Sequence, residues 1–108
     1  MKTVKLADGT LIENCLDYSN PTEIVVLRDN YTEAGEVADQ ITPERMRHLV
    51  IYNDDGSTAY EAHNLIYVKV DLNAYGDRIE LTISSRMKSE LEDLKEQIAE
   101  LQVVVIGG

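Results

Sequence analysis

The chain has 108 residues, the size of one domain with a modest hydrophobic core. Hydrophobic residues make up 44% of it, which is typical of an ordinary globular protein rather than a disordered one. Asp and Glu total 20 against 10 Lys and Arg, and the resulting net charge of −10 disfavours nucleic acid and anionic membrane surfaces as partners.

The cellular environment is predicted from what the sequence contains. Cys15 is the single cysteine, so no internal disulfide can form, and we expect it to be a small core or half-buried residue rather than a nucleophile. No apolar run reaches the length of a membrane span, and the opening residues do not resemble a signal peptide. These features predict a protein that is made and folds in a reducing cytoplasm.

The first part of the chain reads as short strands joined by turns. Residues 2–16 predict a β-hairpin, because Asp8 followed by Gly9 is a strong turn signal and Gly accepts a positive φ. Alternation after the turn is imperfect, which leaves the register open and is compatible with a β-bulge. Residues 22–28 are apolar on both faces and predict an interior strand.

A helical insertion is predicted between residues 32 and 48. Thr32 can cap a short helix whose apolar residues share one face. These residues are Ala34, Val37, Ala38 and Ile41. Pro43 then breaks this helix and begins a second one, with Thr42 as its cap and its end by about His48.

More strands follow in the middle of the chain. Residues 49–52 predict a strand, residues 53–56 a turn, and residues 58–62 a weaker return strand. Residues 64–72 and 78–84 alternate and predict a hairpin closed by a turn containing Gly76. In its first strand we expect one face to hold Ile66, Val68, Val70 and Leu72, with Tyr67 on the opposite face. In its second strand Ile79, Leu81 and Ile83 are expected to point inward.

The segment 85–105 predicts a long amphipathic helix. It is rich in good helix formers, and Ser85 or Ser89 can cap its start. Its apolar residues follow one another at alternating spacings of four and three, which is the pattern of a coiled-coil seam. They are Met87, Leu91, Leu94, Ile98, Leu101 and Val105. Glu90 and Lys95 fall at flanking positions, where opposite charges meet between parallel helices.

Alternatives for this helix stay open. Any amphipathic helix that lies on a sheet has similar spacing, so the helix could dock on the chain's own strands or on a helix of another protein. The stripe is narrow, with Lys88, Glu92 and Glu96 beside it, and this favours self-association. Residues 103–106 are compatible with a helix end, an edge strand or a segment buried in an interface.

No chemical site is predicted. His48 and His63 have no further nitrogen or sulfur ligand at metal-binding spacing, so we expect no zinc site. Residues 53–56 superficially suggest a calcium loop, but the alternating oxygen ligands are missing, and a plain turn is expected. No catalytic Ser or Cys constellation and no glycine-rich phosphate loop can be assigned. The sequence therefore predicts a protein that is not an enzyme and holds no cofactor.

Several pieces of the chain together resemble a group of small, mostly uncharacterised phage and prophage proteins of Gram-positive bacteria. The pieces are residues 2–10 (KTVKLADGT), 23–29 (EIVVLRD), 41–46 (ITPERM) and the helical segment 91–101. The resemblance implies a virion or assembly component, from the tail or fibre region, located in the host bacterial cytoplasm during assembly and then in the virion. It assigns no catalytic or binding residue.

The sequence thus predicts an α+β fold in two parts. Residues 1–84 would form a domain of five to seven antiparallel strands with a short helical insertion, and residues 85–108 an oligomerising helix and tail. The expected function is structural: a homo-oligomer, dimeric or trimeric, that attaches to other virion or assembly proteins. The alternative is an acidic inhibitor or adaptor that engages a basic surface of a partner protein.

Overall fold

The protein is described by a computed structural model. It describes residues 1–88 and, beyond them, Glu92, Leu94, Lys95, Gln97 and Ile98. Within this part of the chain lie seven strands, one α-helix and one short 3₁₀ helix. The strands are β1 (Lys2–Lys5), β2 (Leu11–Cys15), β3 (Glu23–Arg28), β4 (Leu49–Tyr52), β5 (Thr58–Ala62), β6 (Leu65–Tyr75) and β7 (Arg78–Met87). The α-helix is α1 (Tyr31–Gln40), and the 3₁₀ helix is Arg45–Arg47.

All seven strands form one antiparallel sheet in the order β5-β4-β1-β2-β3-β7-β6. One face carries the core, to which the strands, α1 and the 3₁₀ helix contribute. The largest fully buried side chains on this side include Leu6, Ile12, Ile24, Met46, Leu49, Ile51, Leu81 and Ile83. The core is built from aliphatic residues and Met46, as expected for a chain without Trp or Phe.

The amino-terminal hairpin forms where the sequence predicts it. Gly9 has a φ of +92°, and the Asp8 side chain accepts a hydrogen bond from the Thr10 amide at 3.0 Å. Both residues therefore stabilise the turn. The register shifts between Lys2 and Val4, and Asn14 adopts a φ of +61° on the opposite strand. This irregularity brings Cys15 into the core, where it is fully buried as predicted.

Helix α1 begins earlier than the sequence pattern predicts. Asn30, not Thr32, is its N-cap: the Asn30 side-chain oxygen accepts a hydrogen bond from the Glu33 amide at 2.9 Å. Ala34 and Val37 are buried against the sheet, as the shared face predicts. The following 3₁₀ helix has Glu44, not Thr42, as its N-cap, although the Thr42 hydroxyl accepts a hydrogen bond from the Arg45 amide at 3.2 Å.

This geometry separates the two candidate caps experimentally. Asn30→Ala is expected to lower the free energy of unfolding by about 1 kcal/mol, since one helix-terminal N–H loses its partner. Thr32→Ala, at an exposed position inside the first turn, is the matched control and is expected to change it by less than about 0.5 kcal/mol. Urea titrations of both variants check this. A larger loss for Thr32→Ala would mean that the helix starts where the sequence pattern places it.

The β6–β7 hairpin is longer than predicted, and a bulge changes which residues share a face. Tyr67 lies opposite Ser85 and Lys69 opposite Ser84, so Val68 is an extra residue in β6. Leu65 and Tyr67 therefore join Val70 on the core side, and the prediction that Tyr67 occupies the polar face is wrong. In β7, Ile79, Leu81 and Ile83 are buried as predicted.

The predicted fold class, α+β with a long carboxyl-terminal helix, is wrong. Ser85, Arg86 and Met87 belong to β7 and pair with Tyr67, Ile66 and Leu65 of β6. Their backbone groups pair with β6, and this pairing outweighs the helix-forming tendency of the local sequence. Beyond Lys88, the structure describes helical backbone at Glu92, Leu94, Lys95, Gln97 and Ile98, and the other residues of the predicted helix after Lys88 lie outside the described residues. The fold is a strand-rich antiparallel sheet with one short helix.

Candidate functional site

The residues predicted to form an oligomer interface are only partly described. Met87 lies at the end of β7, and Leu94, Lys95 and Ile98 have helical backbone beyond it. The other predicted interface residues, Glu90, Leu91, Leu101 and Val105, lie outside the described residues. Their proposed contacts therefore stay predictions.

The described apolar residues of this carboxyl-terminal segment are exposed. Met87 is 57% exposed, Leu94 54% and Ile98 52%. Leu94 and Ile98 are four residues apart, a spacing that places two side chains next to each other on one side of a helix. Neither side chain belongs to the buried core cluster of the sheet. These residues form an apolar surface whose burial on a partner would be favourable.

An ion pair connects this segment to the sheet. One guanidinium nitrogen of Arg86 lies 2.6 Å from Glu92 Oε1, and its second nitrogen lies 3.3 Å from Oε2, so the contact is bidentate. The hydrogen bond to Glu92 raises the pKa of Arg86. Arg86 is itself paired with Ile66 in the sheet. The ion pair therefore links the segment that follows β7 to the sheet.

Strand β6 is an edge strand of the sheet and runs beside the same end of β7. Among its exposed residues are Val68, Leu72 and Tyr75. Lys69 and Asp71 form an ion pair with a distance of 3.1 Å. Charged side chains on an edge strand disfavour pairing with a strand of another molecule, and so does the bulge at Val68. The edge is therefore protected, and the apolar surface of the carboxyl-terminal segment is the better candidate for association.

A second cluster was not anticipated from the sequence. His48, Glu61 and His63 each offer one ligand atom, and these atoms lie within 4.8 Å of one another. His48 is distant in the sequence from Glu61 and His63, so the spacing of these residues along the chain does not indicate a metal site. The predicted β4–β5 hairpin could have indicated this cluster, because the register of a hairpin determines which side chains meet across its strands.

A third feature is an acidic cleft between β2, β3 and α1. It has a volume of about 440 Å³, and its lining includes Glu13, Glu33 and Glu36 together with Arg28. The Arg28 guanidinium donates to the Glu13 carbonyl at 2.9 Å and to the Leu27 carbonyl at 2.8 Å, so its donors are partly used by the backbone. The three glutamates thus give this cleft an acidic character.

No family model, curated protein or solved structure matches this chain. The resemblance to phage and prophage proteins accordingly stays a prediction. Among the described residues, no helix is both long enough and apolar enough to cross a membrane.

Proposed function

We propose that this protein is a non-catalytic structural protein that self-associates through its carboxyl-terminal segment, as a component of a phage or prophage virion. The supporting observation is the exposed pair Leu94 and Ile98, four residues apart with helical backbone and each more than half exposed. The resemblance of several sequence pieces to phage proteins supports the biological setting. Dimers and trimers are both compatible with this proposal.

The exposed apolar residues support self-association. Each copy carries the same Leu94 and Ile98 side chains, so in a symmetric dimer the same patch can contact itself. Burying a Leu or Ile side chain contributes about 1.5–3 kcal/mol. Met87, at the end of β7, is also exposed, and other faces of the domain are left to bind further assembly proteins.

Leu94→Asp is expected to weaken self-association strongly while leaving the sheet folded. The loss of about 1.5–3 kcal/mol for one buried side chain corresponds to at least about a tenfold rise in the dissociation constant, and a buried charge adds to it. Sedimentation velocity across a micromolar concentration series measures the change. Circular dichroism checks that the strands remain.

Leu11→Asp is the matched control, since Leu11 is 55% exposed but lies on β2, away from the carboxyl-terminal segment. It is expected to associate like the wild type. A wild-type protein that sediments as a monomer at high micromolar concentration would refute the proposal. So would equal weakening by the two substitutions.

A second function, an acidic adaptor that binds a basic protein surface, is favoured by one observation. Glu13, Glu33 and Glu36 line the same cleft, and the whole chain has a net charge of −10. The two functions differ in their response to salt. Added salt screens the attraction between an acidic cleft and a basic partner, whereas apolar self-association persists.

A further inference from the structure

We propose that His48, Glu61 and His63 form a binding site for one divalent transition-metal ion, such as Zn²⁺. The three residues lie at the end of the β4–β5 ladder. Leu49 is opposite Ala62 and Val50 is opposite Glu61, and one further step of this register places His48 opposite His63. Side chains two residues apart in a strand point to the same face, as do side chains directly opposite each other in neighbouring strands. The side chains of His48, Glu61 and His63 therefore project from the same face, together with Val50.

The distances between the ligand atoms fit a metal ion. Glu61 Oε1 lies 3.3 Å from His48 Nε2 and 3.2 Å from His63 Nε2. Zinc bonds of about 2.0–2.1 Å in a tetrahedral arrangement require ligand atoms about 3.4 Å apart. Both nitrogen–oxygen distances are therefore close to the edges of a coordination tetrahedron.

The two imidazoles are stacked beside Glu61, and they must rotate out of the stack for both Nε2 lone pairs to point at one ion. Their ring centroids are 4.1 Å apart and the ring planes differ by 13°, so the rings are stacked and both Nε2 atoms face the same carboxylate oxygen. Two neutral imidazoles and one carboxylate are a donor set that suits zinc and its neighbours in the periodic table rather than Mg²⁺ or Ca²⁺. The three side chains are partly exposed, which leaves a route for the ion and room for a water ligand.

Without metal, Glu61 Oε1 is hydrogen-bonded to His48 Nε2 and lies 3.2 Å from His63 Nε2. A neutral histidine that donates a hydrogen bond from Nε2 to Oε1 must move that proton to Nδ1 before Nε2 can bind a metal ion. The net charge of −10 favours the approach of a cation.

Titration of untagged protein with Zn²⁺ alone, by calorimetry at neutral pH, tests the site. The expected result is one ion per chain with micromolar affinity, unaffected by millimolar Mg²⁺. His48→Gln, His63→Gln and Glu61→Gln are each expected to weaken binding at least about tenfold. Glu36→Gln, an exposed acidic residue on α1, is the matched control and should bind like the wild type.

Nuclear magnetic resonance gives a second readout, because the chain has only two histidines and both are in the cluster. Zn²⁺ is expected to shift the Nε2 signals of both imidazoles together. Leu94→Asp should bind Zn²⁺ unchanged, so failure of the proposed self-association would leave this result intact. Absence of binding at millimolar Zn²⁺, half an ion per chain, or equal affinity of His63→Gln and the wild type would overturn the proposal.

Discussion

Leu81→Ala is expected to lower the free energy of unfolding by about 2–5 kcal/mol. Leu81 is fully buried in β7 and lies opposite Val26 of β3 on one side and Leu72 of β6 on the other. Shortening it removes apolar contacts in the middle of the sheet and leaves a cavity that neighbouring strands can only partly fill. For a domain of 108 residues this is a large share of the total stability.

Leu72→Ala is the matched control for this prediction. Leu72 is the cross-strand neighbour of Leu81, but it lies on the edge strand and is 41% exposed. Its replacement is expected to cost about 1 kcal/mol or less, since much of the removed surface is already in contact with water. Urea-induced unfolding of both variants measures the difference. Equal losses would contradict the placement of β7 inside the sheet and β6 at its edge.

Cys15 is expected to make stability depend on alkaline pH. Burial raises the pKa of its thiol from 9.0 to about 11, against a smaller opposing effect of Arg28. Above pH 9.0 the unfolded chain loses the thiol proton while the folded chain keeps it, so the unfolded state is favoured progressively. The stabilisation is fully present below pH 9.0 and is lost as the pH rises to about 11. The total is about 2–3 kcal/mol.

Cys15→Ala isolates this effect from the titration of lysines and tyrosines in the same range. The free energy of unfolding of the wild type minus that of Cys15→Ala is expected to decrease steadily above pH 9.0. Urea titrations at several alkaline pH values measure it. The same burial predicts slow reaction of the thiol with disulfide reagents in the folded protein. A difference that stays constant with pH would show that the thiol is not buried in the folded state.

Much of the strand pattern could be predicted from local sequence. Gly9 and Gly76 are in turns with positive φ, as their turn signals predicted, and Ile24, Val25 and Val26 are buried in β3, which is an interior strand as predicted. Helix α1 was predicted from the shared face of its apolar residues, although its cap was misplaced by two residues. Several side chains compete for a cap, and only the backbone path into the helix decides between them.

The candidate sites were harder to predict. The apolar residues of the carboxyl-terminal segment were singled out by their spacing, and Leu94 and Ile98 are indeed exposed, but Met87 is in a strand rather than on a helix face. The histidine cluster escaped the sequence reasoning, because His48 and His63 meet only through the register of the β4–β5 hairpin. That hairpin was predicted, but the sequence did not fix its register, which places His48 opposite His63 beyond the ends of the two strands.

By itself, the sequence determined the turns, the alternation of the strands and the aliphatic composition of the core, because each depends on residues close together in the chain. Tertiary structure alone decided where β7 ends, since Ser85 and Arg86 stay extended only because β6 supplies their hydrogen-bonding partners. It also decided the bulge at Val68 and the meeting of His48 with His63. These features depend on which strand lies alongside another and in what register, and a one-residue change of register moves every side chain to the opposite face.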